Sequence, residues 1–314
     1  MKASVTVLAL AAGLALALPA AAAQAPAAPA PFPASAPNSI VTATATVGPM
    51  QIKQITDRVY MITGQGGNTT IHVGLSEVIL VDTKNAGSAI FNDLVGRVRW
   101  ATQLPIHTVI ITHQHGDHSG NIGQFTAQKI PVVAHEALAA GLARQPVAAG
   151  ATPPALPSIT YAGPFYTVRN SFGGTEATVY HFASGHTGGD SVVYFPNAKV
   201  VSLGDELVAV TPNIDSPNGG SAKGFRDSLA KVLELDFVWA IPGHGDNPMT
   251  KAEVAAYKAK WDTFIQRGQA AVKSGVTKDK LMASIKTDDL GWNVNTPIWN
   301  NPARIDALYA ELSN

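Results

Sequence analysis

Short runs of apolar and β-branched residues alternate along this chain with turn-forming clusters, and a proline-rich gap divides them into two groups. The first group predicts strands near Gln51–Ile55, Val59–Thr63, Thr69–Gly74, Val78–Asp82, Thr108–Thr112 and Val132–Ala134. The second predicts strands near Tyr166–Val168, Thr178–Phe182, Ser191–Phe195, Val200–Leu203 and Val238–Ile241. Helical periodicity is found over Ala89–Ala101, Glu136–Arg144, Ala222–Leu235, Lys251–Val272 and Lys278–Ile285, with a shorter stretch at Arg304–Leu312. Strands and helices mixed in this way predict an α/β (α+β) domain. The gap, Gln145–Pro164, carries five prolines and little periodicity, which predicts a long surface loop and a candidate lid.

Chemistry-bearing residues gather where the apolar runs stop. The buried-strand pattern Ile106–Thr112 leads directly into His113-Gln114-His115-Gly116-Asp117-His118, three imidazoles and a carboxylate on one loop at a strand's carboxyl end. Imidazole nitrogen and carboxylate oxygen suit Zn²⁺, and a catalytic site keeps one position open for water. His113 and His115, two residues apart, point the same way in extended backbone. Gly116 lets the chain turn, so Asp117 and His118 can face a second ion. Further donors end strand-like runs downstream: His186 in Gly185-His186-Thr187-Gly188, Asp205 after Val200–Gly204, and His244 in Pro242-Gly243-His244-Gly245. The remaining histidines of the nine, His72, His107, His135 and His181, lie in or beside strands without such a motif and read as core or surface residues.

In this order the motifs resemble those of the metallo-β-lactamase-fold hydrolase superfamily, from about Ile52 to about Thr250. The resemblance implies a four-layer αββα sandwich. It also implies two Zn²⁺ ions, with iron or manganese as alternatives. His113, His115 and His186 would hold the first metal, Asp117, His118 and His244 the second, and Asp205 would bridge both. Two such ions lower the pKa of a shared water toward neutrality. Asp117 would then also be catalytic, orienting that water or accepting its proton. Asp82 ends the run Val78–Val81 and is either a turn residue or, by resemblance, an orienting partner of the histidine loop.

The resemblance further implies a hydrolase attacking a small ester, lactone, thioester or β-lactam carbonyl. The alternatives are an iron-dependent redox enzyme on the same fold and a non-catalytic metal-binding relay protein. There is no cysteine, so the thiolate ligand of some metallo-β-lactamases is absent. An aspartate at 205 instead resembles the thioesterase and lactonase branches. Three residues are candidate substrate contacts: Asn68, in the turn Gln65–Asn68, and Ser221 and Lys223, which open a helix where an anionic substrate group could sit. Ser221 as a plain helix cap is the alternative.

Lys+Arg and Asp+Glu balance at 22 each with no basic stripe, which argues against nucleic acid, and the hydrolase resemblance implies a small-molecule substrate as partner. Apolar content of 46% supports a substantial core. Lys2, the apolar stretch Val5–Leu18 and Ala21–Ala23 predict a signal peptide over residues 1–23. Its fourteen-residue apolar stretch is too short to cross a bilayer comfortably, so a periplasmic or secreted protein with no membrane span is expected. Residues 24–46, rich in Ala and Pro, predict a disordered or extended linker before a hydrolase domain at 47–314. The segment Trp292–Asn314 is expected to pack on the core or on a partner subunit.

Overall fold

In a computed structural model, residues 40–41, 50–170 and 173–314 are described. The expected signal peptide and all of the expected linker except Ile40 and Val41 lie outside the described residues. The first sheet runs in chain order through β1 (Ile40–Val41), β2 (Gln51–Gln54), β3 (Val59–Thr63), β4 (Thr69–Val73), β5 (Val78–Val81), β6 (Ile106–Ile110), β7 (Val132–His135) and β8 (Ile159–Tyr161). Neighbours are antiparallel as far as β5 and parallel from β5 to β8. The parallel steps cross over through α1 (Ser88–Ala101), through α2 (Gly116–Ser119) with α3 (Ile122–Ala127), and through α4 (Glu136–Ala143).

The second sheet holds β9 (Phe165–Arg169), β10 (Thr175–Tyr180), β11 (Val192–Phe195), β12 (Val200–Ser202), β13 (Trp239–Ile241) and β14 (Met249–Thr250), again in chain order. Its one parallel pair, β12 with β13, is connected by α5 (Ala222–Glu234). Then come α6 (Lys251–Lys273), α7 (Leu281–Ser284) and α8 (Pro302–Ser313). No helix of the described residues is long and apolar enough to cross a membrane.

Burial explains why Val78–Val81 is apolar without alternation. Ile79 and Val81 face the interior between the sheets, with Ile110, Val133, Val179, Val193, Phe195 and Ile241. Leu80 faces the other way, with Val109 and Ile111, under Phe91, Leu94, Phe125 and Leu138 of the first helical layer. A strand covered on both faces has no side on which a polar residue can stay wet. The second sheet is covered by α5, α6 and α8 through Phe225, Leu229, Trp261, Phe264 and Leu312. Helix, sheet, sheet and helix thus form the αββα order.

Several boundaries differ from the sequence pattern. β6 stops at Ile110, so Thr112 joins the histidine loop and becomes free to hydrogen-bond within it. β8 lies inside the stretch expected as loop. It and β14 are edge strands of three and two residues, too short to carry a period. The irregular stretch therefore ends at Ser158. Its Gln145 Nε2 donates to the Gln114 carbonyl at 3.0 Å, and Ser158 Oγ accepts from the Val132 amide at 2.9 Å, which ties both of its ends to the first sheet's side. Residues 278–285 divide into a 3-10 turn and α7.

Trp261 is fully buried and stacks on Phe225 at 4.4 Å between ring centroids, fastening α6 to α5. Trp261→Ala should cost about 3–5 kcal/mol, read as a lower urea midpoint at unchanged slope in metal-free protein. A shift below about 1 kcal/mol would show that this layer repacks freely.

Candidate metal centre

β5 and β6 are parallel, and β10, β12 and β13 run in a common direction, since β11 is antiparallel to both β10 and β12. The loops after their carboxyl ends carry Asp82, His113–His118, His186, Asp205 and His244. His113, His115, His186 and Asp205 bring ligand atoms within 4.8 Å of one another, and so do Asp117, His118 and His244. Asp205, on a 3-10 turn after β12, stands between the groups. Its Oδ2 lies 3.6 Å from His186 Nε2 and 4.0 Å from His113 Nε2, while Oδ1 lies 3.2 Å from His118 Nε2 and 3.5 Å from His244 Nε2. His244 Nε2 is also 3.2 Å from Asp117 Oδ2. All seven residues singled out in the sequence are thereby brought together.

Four imidazoles have one nitrogen anchored in the protein and the other turned inward. His113 Nδ1 meets Thr112 Oγ1 at 3.1 Å, His115 Nε2 meets Asp215 Oδ2 at 2.8 Å, His118 Nδ1 meets Asp82 Oδ2 at 2.7 Å, and His186 Nδ1 meets the Asn213 carbonyl at 2.7 Å. Such outer partners fix the tautomer and ring orientation of metal-bound histidines. The inward His113 Nε2 is buried without a hydrogen-bond partner, an expensive state for a polar atom that a cation would relieve. The donor set of imidazoles and carboxylates fits zinc, and equally iron or manganese.

Charge separates within the cluster. Burial and the neighbouring His118 charge push His113 well below the usual imidazole range, keeping it neutral. Burial works against a charge on His118 too, but Asp205 and Asp82 outweigh it and raise His118 well above that range. Asp205 is held well below the carboxylate range, burial notwithstanding, by His118, His113 and His186. Asp117 is likewise lowered against its burial by the hydrogen bond from His244 and the His118 charge. Burial also raises Asp215, yet His115, Asn218 and the Arg304 charge bring it down to about 2.

Close packing needs missing side chains. A Cβ on Gly67 would fall into the His118 ring, and one on Gly243 would strike Asp205 Oδ1. Asp82 takes the orienting role: besides His118, it accepts from the Thr112 amide at 2.8 Å and the Thr112 hydroxyl at 2.7 Å.

The candidate substrate contacts lie elsewhere in the network. Asn68 is buried, and its amide nitrogen donates to the carbonyls of Pro242 at 2.9 Å and Gly245 at 2.8 Å, so it braces the His244 loop and has no donor left for substrate. The start of α5 does bind an anion, but that anion belongs to the chain. Glu311 of α8 accepts from the Ser221 hydroxyl, from the Ala222 amide at 3.0 Å and from the Lys223 amide at 2.7 Å. Ser221 is the helix cap, accepting from the Gly224 amide at 2.9 Å. Asn213, Asp215 and Arg304 were not expected at the site. The signal available for Asp215 was its place in a Gly- and Pro-rich turn, Asp215-Ser216-Pro217-Asn218-Gly219.

A model of the metallo-beta-lactamase superfamily matches residues 62–244. The chain belongs to that superfamily. The metallo-β-lactamase-superfamily chain is 28% identical over 239 residues to the alpha subunit of 2,4-dinitroanisole O-demethylase from Nocardioides sp. strain JS1661, covering 74% of this chain and 68% of that one. It is 37% identical over 70 residues to the alkyl/aryl-sulfatase BDS1 of Saccharomyces cerevisiae, 22% of this chain and 11% of the relative. Among solved structures, the DIM-1 metallo-β-lactamase superposes with a TM-score of 0.57 at 18% identity, over 68% of this chain and 97% of that chain. The sec-alkylsulfatase Pisa1 from Pseudomonas sp. gives 0.61 at 18% identity, over 82% of this chain and 49% of that chain. At such identities the structural likeness establishes the fold, the superfamily's αββα sandwich, while the bond cleaved by this enzyme is set by its own site.

Asp82→Asn should weaken metal binding by the Asp117, His118 and His244 group about 10- to 100-fold in a chelator competition; unchanged affinity would remove Asp82 from that role. Acid should weaken it too. His118 holds its proton to a raised pKa, and a metal must displace that proton, so below that pKa apparent affinity should fall about tenfold per pH unit per proton released. Affinity flat from pH 6 to 8 would contradict this.

Proposed function

We propose that this protein is a dinuclear metal-dependent hydrolase acting on a small, neutral ester-type substrate. The observation carrying the reading is Asp205, whose two oxygens face two separate groups of ligands. His113, His115, His186 and Asp205 would hold one ion, and Asp117, His118, His244 and Asp205 the other. Bound there, zinc would supply an activated water and polarise the bond under attack.

The chain's own residues orient the reaction. His115, Asp117 and His244 have side chains 27%, 31% and 35% exposed, whereas His113, His118 and His186 are at most 1% exposed, so substrate approaches on the first three. Held ionised, Asp117 is a weak base, and its carboxylate orients the attacking water by accepting a hydrogen bond rather than by storing its proton. The segments beside the open side are joined to it through the backbone: Gly67 donates to the Asp117 carbonyl at 3.0 Å, Ala209 to the His244 carbonyl at 2.9 Å, and Asp215 to the His186 carbonyl at 2.8 Å. Gln65–Gly67, Ala209–Thr211 and Asp215–Gly219 contain no lysine or arginine, which favours an uncharged substrate over an anionic one.

The names of the relatives favour oxygen as the leaving atom, an aryl ether in one and alkyl or aryl sulfates in another. Together with the preference for an uncharged substrate, this ranks aryl esters, lactones and aryl ethers ahead of thioesters, sulfates and β-lactams. An exported enzyme, with the leader removed after Ala23, completes the proposal.

Elemental analysis should give about two metal ions per chain. Turnover of a chromogenic aryl ester, lactone or aryl methyl ether should disappear on chelation and return with zinc. Asp117→Asn should lower kcat about 10²- to 10⁴-fold while metal is retained in part. Metal-loaded protein silent on the whole panel, thioesters, sulfates and lactams included, would remove the hydrolase reading. Iron with a reducible optical band would replace it with redox chemistry.

A further inference from the structure

α8 lies wholly beyond residues 62–244, the segment that matches the superfamily, yet its side chains reach the frame of the metal centre. Arg304 donates to Asp215 Oδ1 at 3.0 Å, to the Ile214 carbonyl at 2.8 Å and to the Asn213 side-chain oxygen. Two of these three residues hold ligands. Asp215 Oδ2 meets His115 Nε2 at 2.8 Å, and the Asn213 carbonyl meets His186 Nδ1 at 2.7 Å. Glu311, seven positions along and so on the same face of α8, closes the start of α5, and the Ser221 amide there donates to the Gly185 carbonyl at 2.8 Å. Leu308, between the two anchors, and Leu312, next to Glu311, are buried, so the helix is seated by its apolar face. A guanidinium with several fixed donors holds a turn more rigidly than a lysine's point charge can.

The connections run to one ligand group. His118 is framed by Asp82, and the His244 loop by Asn68, and neither of these touches Arg304 in the hydrogen bonds described. We infer that Arg304 is a positioning residue for one half of the centre: acting through Asp215 and Asn213, it sets the rings of His115 and His186, and thereby the metal affinity of the group His113, His115, His186 and Asp205. The affinity of the group Asp117, His118 and His244 does not depend on it. The inference rests on the metal-centre reading proposed above.

The test uses the full chain in two backgrounds. Asp117→Ala with His244→Ala leaves the first group, and His113→Ala with His186→Ala leaves the second. Zinc affinity is measured in each by competition with a chromophoric chelator, with and without Arg304→Met. In the first background Arg304→Met should weaken zinc binding about 10- to 100-fold, and Arg304→Lys should restore part of the loss. In the second background the affinity should not change. Circular dichroism of the metal-free variants checks the fold. Should Arg304→Met unfold the chain, Arg304→Gln, which keeps a polar side chain and removes the charged fork that spans Asn213, Ile214 and Asp215, should give the same selective loss. Equal weakening in both backgrounds, or none in the first, would overturn the inference while leaving the metal centre standing. Failure of the unaltered chain to bind zinc would overturn both.

Discussion

A carboxylate buried at the end of a strand is costly unless every lone pair it turns inward meets a donor, and Asp82 is such a group. It meets three donors, the Thr112 amide, the Thr112 hydroxyl and His118 Nδ1. Its own amide donates to the Ile110 carbonyl and its carbonyl accepts from Thr69, so one residue joins β4, β5 and the loop after β6. Its backbone is left-handed, φ 67°, a conformation an aspartate tolerates better than most residues but still pays for. That cost is offset by the ring orientation it secures. The Thr112 hydroxyl, having given its proton to Asp82, has its lone pairs free to accept from His113 Nδ1, so the order imposed by Asp82 passes to the histidine of the other ligand group.

The same arrangement recurs at the end of the second sheet's strands, between β10 and β11. Asp190 is buried and closes the His186 turn by accepting from the Thr187 amide and hydroxyl and the Gly185 amide, and burial raises its pKa. Glu206, next to Asp205, is raised well above its usual range by burial and by Asp190, and accepts from Ser228 of α5 at 2.6 Å. Most of the side chains between the sheets are apolar, and at this end of the strands Asp82 and Asp190 each tie a loop of the site to the sheet it follows. The precision of the centre comes from these turns being tied to strands that cannot move without exposing core.

What could be read in advance follows from distance along the chain. His113 to His118 declare themselves because four donor side chains fall in one loop after an apolar strand, and the resemblance those motifs carry implies the αββα layering, with which strands lacking polar alternation agree. Arg304 and Asp215 are 89 residues apart, and Ser221 and Glu311 are 90 apart, so their pairing exists only once α8 packs. A helix start such as Ala222–Lys223 advertises an anion site in the sequence without saying whose anion fills it. Asn68 misleads for a related reason: a polar residue in a glycine turn near the site looks free for substrate, and its real partners, Pro242 and Gly245, come from the other sheet.

Ring packing bears on whether the metal builds the centre or finds it built. His113 and His118 lie 4.2 Å apart between centroids, and His113, His115 and His186 meet edge to face at 4.7–4.8 Å. Five protonated imidazoles could not share that volume. Burial keeps His113 neutral, while the one strongly raised ring, His118, sits between Asp82 and Asp205 where its charge is matched. A centre arranged in this way needs no ion to hold four of its five rings in place, because the outer nitrogens of His113, His115, His118 and His186 are bound to Thr112, Asp215, Asp82 and Asn213. A metal held by Asp117, His118 and His244 would replace the His118 proton, with little conformational entropy left to lose. The frame thus rests on residues that never touch an ion, and a change in one of them would act on the centre through the ring it holds.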